Sequence, residues 1–165
     1  MLAMLAACLC SCAHPQAISD DSAPAAATQD DSADATDGFS PEELLEIGKT
    51  YNARGESEKA VGVLEKAVAR KADWAPALYE LGLALSRLER IPEAIKVLRQ
   101  ASRLASDHLE TALLLGMAFD LAGQPAEALK VYTAAVKVHP ESVELLHEMG
   151  VTLLMVNKIP AGIKV

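Results

Sequence analysis

The chain has 165 residues, 51% of them hydrophobic but only 4% aromatic, and a formal net charge of −8. That length accommodates one domain with a buried core, while the acidic balance excludes a protein that holds nucleic acid through a basic face. All three cysteines fall within the first twelve residues, which excludes a disulfide framework or a cysteine-based metal quartet for the rest of the chain.

Residues 1–12 carry no charge. Within them Leu5-Ala6-Ala7-Cys8 resembles the lipobox of bacterial lipoproteins, in which the cysteine is diacylated and becomes the mature N-terminus. Leu9-Cys10-Ser11-Cys12 offers a poorer second match. A basic region ahead of the apolar stretch is missing, and that stretch is at the short limit for a signal peptide. It is also well below the ~20 apolar residues that a membrane-spanning helix needs. The resemblance implies a signal segment over 1–12, lipidation at Cys8 with a palmitate-type anchor, and an envelope location on the periplasmic face of an outer membrane. Without lipidation the chain reads as cytoplasmic.

Residues 13–39 form the next segment. It is rich in Ala, Ser, Thr and Asp, with aspartates at 20, 21, 30, 31, 34 and 37 and no lysine or arginine. Low hydrophobicity with charge of one sign cannot bury enough surface to offset ordering entropy, so this stretch reads as a disordered acidic linker. It also supplies most of the acidity: the remaining 17 acids face 15 bases.

From Ser40 onward the pattern changes. Glycine recurs at 48, 82, 116 and 150, each time 34 residues on, and each opens the same hydrophobic register. Leu44, Ile47, Gly48, Tyr51, Ala60, Leu64 and Ala67 in the first unit become Leu78, Leu81, Gly82, Leu85, Ala94, Leu98 and Ala101 in the second. The third holds Ala112, Leu115, Gly116, Phe119, Ala128, Tyr132 and Ala135, and the fourth begins with Leu146, Met149, Gly150 and Leu153. Spacings of three and four place these residues on one face of a 3.6-residue helix. Turn signals at 54–56, 88–90 and 122–124, followed by Pro92, Pro125 and Pro160, divide each unit into two antiparallel helices. Because glycine costs about 1 kcal/mol in a helix interior, its recurrence at one phase predicts a neighbouring backbone too close for any side chain. Ser40-Pro41-Glu42-Glu43 reads as a capped helix start.

This register resembles the tetratricopeptide repeat, whose signature sets Leu-Gly, then an aromatic, Ala, an aromatic and Pro within 34 residues. The opening tryptophan is absent, with Leu44, Leu78, Ala112 and Leu146 in its place, and the closing proline survives only at Pro140. Trp74, in the turn between units, is expected to pack a repeat junction. The resemblance implies an all-α solenoid of antiparallel helix pairs winding into a right-handed superhelix, with units 41–74, 75–108, 109–142 and an incomplete 143–165. Ile163, Lys164 and Val165 fall inside what would be the second helix of unit four. The expectation is therefore a fragment of a longer protein.

In arrays of this type the first helix of each unit lines a concave groove, with its second, fifth, ninth and twelfth residues exposed. Carried to this chain, those positions place Leu45, Lys49, Asn52, Tyr79, Leu83, Leu113, Met117, His147 and Val151 in a peptide-binding groove with an apolar floor and an acidic rim. Arrays that grip a chaperone's C-terminal carboxylates hold Lys, Asn and Arg at such positions, and here Lys49 and Asn52 stand nearly alone, which disfavours a carboxylate clamp. The expected partner is a protein or peptide, either an amphipathic helix or an extended apolar segment.

No nucleophile elbow, phosphate loop or paired-carboxylate site is visible. Neighbouring His147 and Glu148 point about 100° apart on a helix, and His14, His108, His139 and His147 are scattered. The reading is a non-enzymatic, lipid-anchored or exported scaffold for envelope, pilus or secretion assembly, with no metal, cofactor or nucleic acid. The alternative is the N-terminal interaction module of a larger enzyme or sensor.

Overall fold

The computed structural model describes residues 38–158. The lipobox, the linker up to residue 37 and the start of the second helix of unit four lie outside the described residues. Among the described residues seven helices follow one another: α1 (Pro41–Arg54), α2 (Ser57–Arg70), α3 (Ala75–Arg87), α4 (Ile91–Leu104), α5 (Leu109–Leu121), α6 (Pro125–Val136) and α7 (Val143–Lys158). The described residues contain no strand.

Local chemistry sets the helix ends. Ser40 caps α1: its hydroxyl accepts from the Glu43 amide at 3.2 Å, while the Glu43 carboxylate accepts from the Ser40 amide at 2.8 Å. Two otherwise orphaned donors are thereby satisfied. Pro41 and Pro125 open α1 and α6, and Pro76 and Pro92 are the second residues of α3 and α4. Pro92 and Pro125 are thus one residue out of phase, yet both fall in a first turn, where no helical hydrogen bond is lost.

The turn inside each hairpin closes in the same way. Gly55 and Gly123 adopt left-handed φ values of 76° and 69°, and the next amide reaches back to Tyr51 O at 3.0 Å and Phe119 O at 2.8 Å. Glu89 occupies the equivalent position in unit two with φ 58°, although a side chain there costs about 1–2 kcal/mol. The Arg90 amide still reaches Leu85 O at 3.0 Å, so the hydrogen-bonding pattern survives the substitution.

The helices pair as α1/α2, α3/α4 and α5/α6, and α2/α3, α4/α5 and α6/α7 join consecutive hairpins. The odd-numbered helices also touch their odd neighbours, whereas α2, α4 and α6 do not touch one another. The odd helices therefore form the tighter, inner layer and the even helices splay outward, which curves the array and puts the concave face on α1, α3, α5 and α7. Leu44, Leu64, Leu78, Leu98, Phe119, Tyr132 and Leu145 are fully buried between the layers, and Ala60, Ala94 and Ala128 are 0% exposed. Trp74 is half-buried at the junction of the first two hairpins, with the Lys71 ammonium 4.3 Å above its ring.

One expectation is corrected. The 34-residue glycine makes room for a side chain, not for a backbone. A Cβ at Gly82 would lie 2.5 Å from Cδ2 and Cγ of Leu98, and one at Gly48 would overlap Leu64. At Gly116 it would overlap Cε1 and Cζ of Tyr132. In the first three hairpins the inner helix gives up its side chain so that the largest buried residue of the outer helix, sixteen positions later, can rest on bare backbone. Gly150 has nothing within 4 Å of its Cβ position, and Leu146 and Leu153 of the same stripe are exposed among the described residues.

Candidate functional site on the concave face

The inner helices bring together a cleft of about 270 Å³ lined by Lys49 of α1, Ala75, Pro76, Tyr79 and Glu80 of α3, Ala105 just after α4, and His108 and Thr111 at the start of α5. His108 caps α5. Its Nδ1 accepts from the Thr111 amide at 3.2 Å, so in the neutral ring the proton belongs on Nε2. Nε2 lies 3.6 Å from a Glu110 carboxylate oxygen. The imidazole stands edge-on to Tyr79, with ring centroids 5.3 Å apart at 63°, an arrangement that aromatic quadrupoles favour.

One carboxylate, Glu80, and one ammonium, Lys49, line the cleft. Tyr79 is half-buried, and burial, followed by the Glu80 and Glu110 carboxylates, pushes its phenol above the ordinary range. Lys49 is engaged by Glu46 at 2.7 Å. Glu80 accepts from the Asn52 amide at its backbone oxygen, 3.0 Å, and at Oε2, 2.8 Å. Arg87 in turn donates to Asn52 O at 2.5 Å.

The residues expected along the groove divide into two sets. Tyr79, Leu83, Leu113, Val151 and Lys49 are half-buried on the inner helices, Met117 is 43% exposed and His147 is exposed. Leu45 and Asn52 were expected on the open floor, but they are 5% and 4% exposed. Leu45 belongs to the core cluster, and Asn52 is turned into the junction with the next hairpin, where Glu80 takes its amide.

The same twelfth position in unit three, Asp120, also serves a junction. Its Oδ2 accepts from Thr152 Oγ1 at 2.6 Å and lies 3.4 Å from the Tyr132 hydroxyl, and burial and this carboxylate hold the Tyr132 phenol well above its usual range. In units one and three the twelfth residue therefore ties consecutive hairpins together, whereas Ser86 in unit two donates within its own helix to Gly82 O at 2.8 Å. Sequence reasoning missed Glu80 and His108. Glu80 follows Pro76 by four residues and so shares its helix face, a signal that was available; the position of His108 depends on how two hairpins meet.

The sequence pattern of the tetratricopeptide repeat family matches residues 74–141, spanning units two and three. The helical hairpins over residues 74–141 are tetratricopeptide repeats. Solved structures superpose on the chain. The crystal structure of MamA does so with TM-score 0.69 at 26% identity, covering 76% of this chain and 71% of that one. The first tetratricopeptide domain of Spaghetti (RPAP3), bound to the HSP90 peptide SRMEEVD, gives TM-score 0.68 at 19% identity, covering 71% and 93%. The Sgt2 tetratricopeptide domain from Aspergillus fumigatus gives 0.66 at 17% identity, covering 71% and 79%. No curated protein matches the sequence. Tetratricopeptide repeats are typically interaction modules, which supports reading the chain as a protein-interaction scaffold.

Proposed function

We propose that this tetratricopeptide array is a lipid-anchored scaffold of a bacterial envelope that captures a protein segment along its concave face. The observation that carries the reading is the half-open apolar strip made by Tyr79, Leu83, Leu113, Met117 and Val151 across three consecutive inner helices. An adaptable methionine among branched and aromatic residues suits a surface that moulds to a helix or an extended strand. A carboxylate clamp of the kind that would fit an acidic chaperone peptide is unsupported, because Asn52 is buried and its amide is committed to Glu80. Leu5-Ala6-Ala7-Cys8 supports the anchor, and the acidic stretch after it would hold the array clear of a membrane surface.

Two experiments test the two halves of the proposal. Leu83→Glu with Met117→Glu places charge on the open strip, so helical circular dichroism and the melting temperature stay near those of the parent while the partner disappears from pull-downs of cell envelopes. If the double variant unfolds, these residues serve the core and the groove reading falls. For the anchor, full-length protein in a Gram-negative host partitions into detergent and incorporates a palmitate probe, and Cys8→Ser abolishes the label. Label that survives in Cys8→Ser but vanishes in Cys12→Ser moves the site, and an unlabelled parent removes the idea.

A further inference from the structure

We propose that the cleft beside Tyr79 seats one lysine or arginine side chain of the captured segment, so that the partner is an extended apolar peptide carrying a basic residue at a fixed position. This rests on the groove reading and specifies the chemistry of its occupant.

The size of the cleft comes first. At about 270 Å³ it falls below the range of small-molecule pockets, roughly 300–1,000 Å³, and suits a single long side chain entering from the groove. Its walls then select the type. Ala75 and Pro76 give an apolar edge for a methylene stem, and the Tyr79 ring offers a face that attracts a cation.

Charge complementarity decides the sign. Lys49 and Arg87 are the cations at this site, and both are committed, the first to the Glu46 carboxylate and the second to Asn52 O. Glu80 and Glu110 remain as the electrostatic environment of Tyr79. Among the described residues Glu80 Oε1 has no hydrogen-bond partner, and Glu110 meets only the His108 Nε2 at 3.6 Å. A carboxylate entering the cleft would face the Glu80 carboxylate of its lining, with Glu110 beyond His108, whereas an ammonium or guanidinium would meet the Glu80 acceptor and the Tyr79 ring, with Glu110 adding its charge from outside the lining. The groove outside continues the same sign, with Glu42, Glu110 and Glu144 each the second residue of its unit, although Glu42 is paired with Lys71 at 3.1 Å.

The probe is a library of random dodecapeptides displayed on phage and selected against the full chain. The proposal expects enriched sequences to share a lysine or arginine at one fixed position among apolar residues. A fluorescein-labelled selected peptide should lose about tenfold in affinity when that lysine becomes norleucine, which keeps the stem and removes the charge.

Glu110→Gln should weaken the lysine peptide about fivefold, the upper range for a partly exposed pair, and should leave the norleucine peptide unaffected. Glu80→Gln should act in the same direction, but its Oε2 also holds Asn52, so Glu110→Gln is the variant that carries the result. Enriched peptides that lack a fixed basic residue, or that carry a fixed acidic one, overturn the inference and leave the groove intact. Absence of enrichment, or binding that is equal on the Leu83→Glu, Met117→Glu variant, removes the groove reading and this inference with it.

Discussion

Gly116→Leu melts well below the parent protein. A Cβ at Gly116 would overlap the Tyr132 ring at Cε1 and Cζ, and Tyr132 is 0% exposed, so the ring has no solvent into which to retreat. Overpacking of this kind costs about 1–3 kcal/mol, occasionally more, and the gain from removing a helical glycine returns less than about 1 kcal/mol. For an array of this size the net loss corresponds to a fall in melting temperature of roughly 5–10 °C, read by thermal circular dichroism. Gly82→Leu follows the same logic against Leu98, and should be milder because an aliphatic side chain re-packs more easily than a ring. A Gly116→Leu protein that melts at or above the parent temperature would show that the seat is not tight.

The complementary change empties the seat. Tyr132→Ala removes a fully buried ring from between α5 and α6, and truncation of a buried aromatic costs about 3–5 kcal/mol. It also takes one donor from Asp120, which keeps Thr152 at 2.6 Å. The more discriminating measurement combines the two sites. With the ring gone, a side chain at position 116 enters space that Tyr132 had filled, so Gly116→Leu should cost little or become favourable in the Tyr132→Ala background. The coupling expected of contacting residues is about 0.5–3 kcal/mol, and denaturant melts of the four proteins in the cycle measure it. Strictly additive losses would mean that glycine and tyrosine do not act as one packing unit, and the account of the 34-residue glycine would then fail.

The positions of the helices, the turns between them and the pairing into hairpins follow from residues three and four apart and from local end signals. These interactions are complete within one helix or one turn. Ser40 and Glu43 form their cap three residues apart, and the 34-residue period carries each hairpin onto the next. The identity of the seat was present too, since Leu64, Leu98 and Tyr132 each follow their glycine by sixteen residues. What the glycine accommodates was not, because backbone and side-chain approaches leave the same mark in a sequence.

The groove was only half legible for a different reason. Leu45 and Leu113 share the fifth position of their units, yet one is in the core and the other half-buried, and Asn52 meets Glu80 across 28 residues. Periodicity fixes which side of a helix a residue occupies, but the rotation of one hairpin against the next decides whether that side is covered. The cleft needs three separate helices, with Lys49 from one, Tyr79 and Glu80 from another, and His108 held at the start of a third by the Thr111 amide. The sequence by itself determined the repeat and its helical hairpins, because their forces are local and recurrent. Only the tertiary structure decided which inner-face residues remain open and what charge surrounds Tyr79, because both depend on contacts between units that the period does not encode.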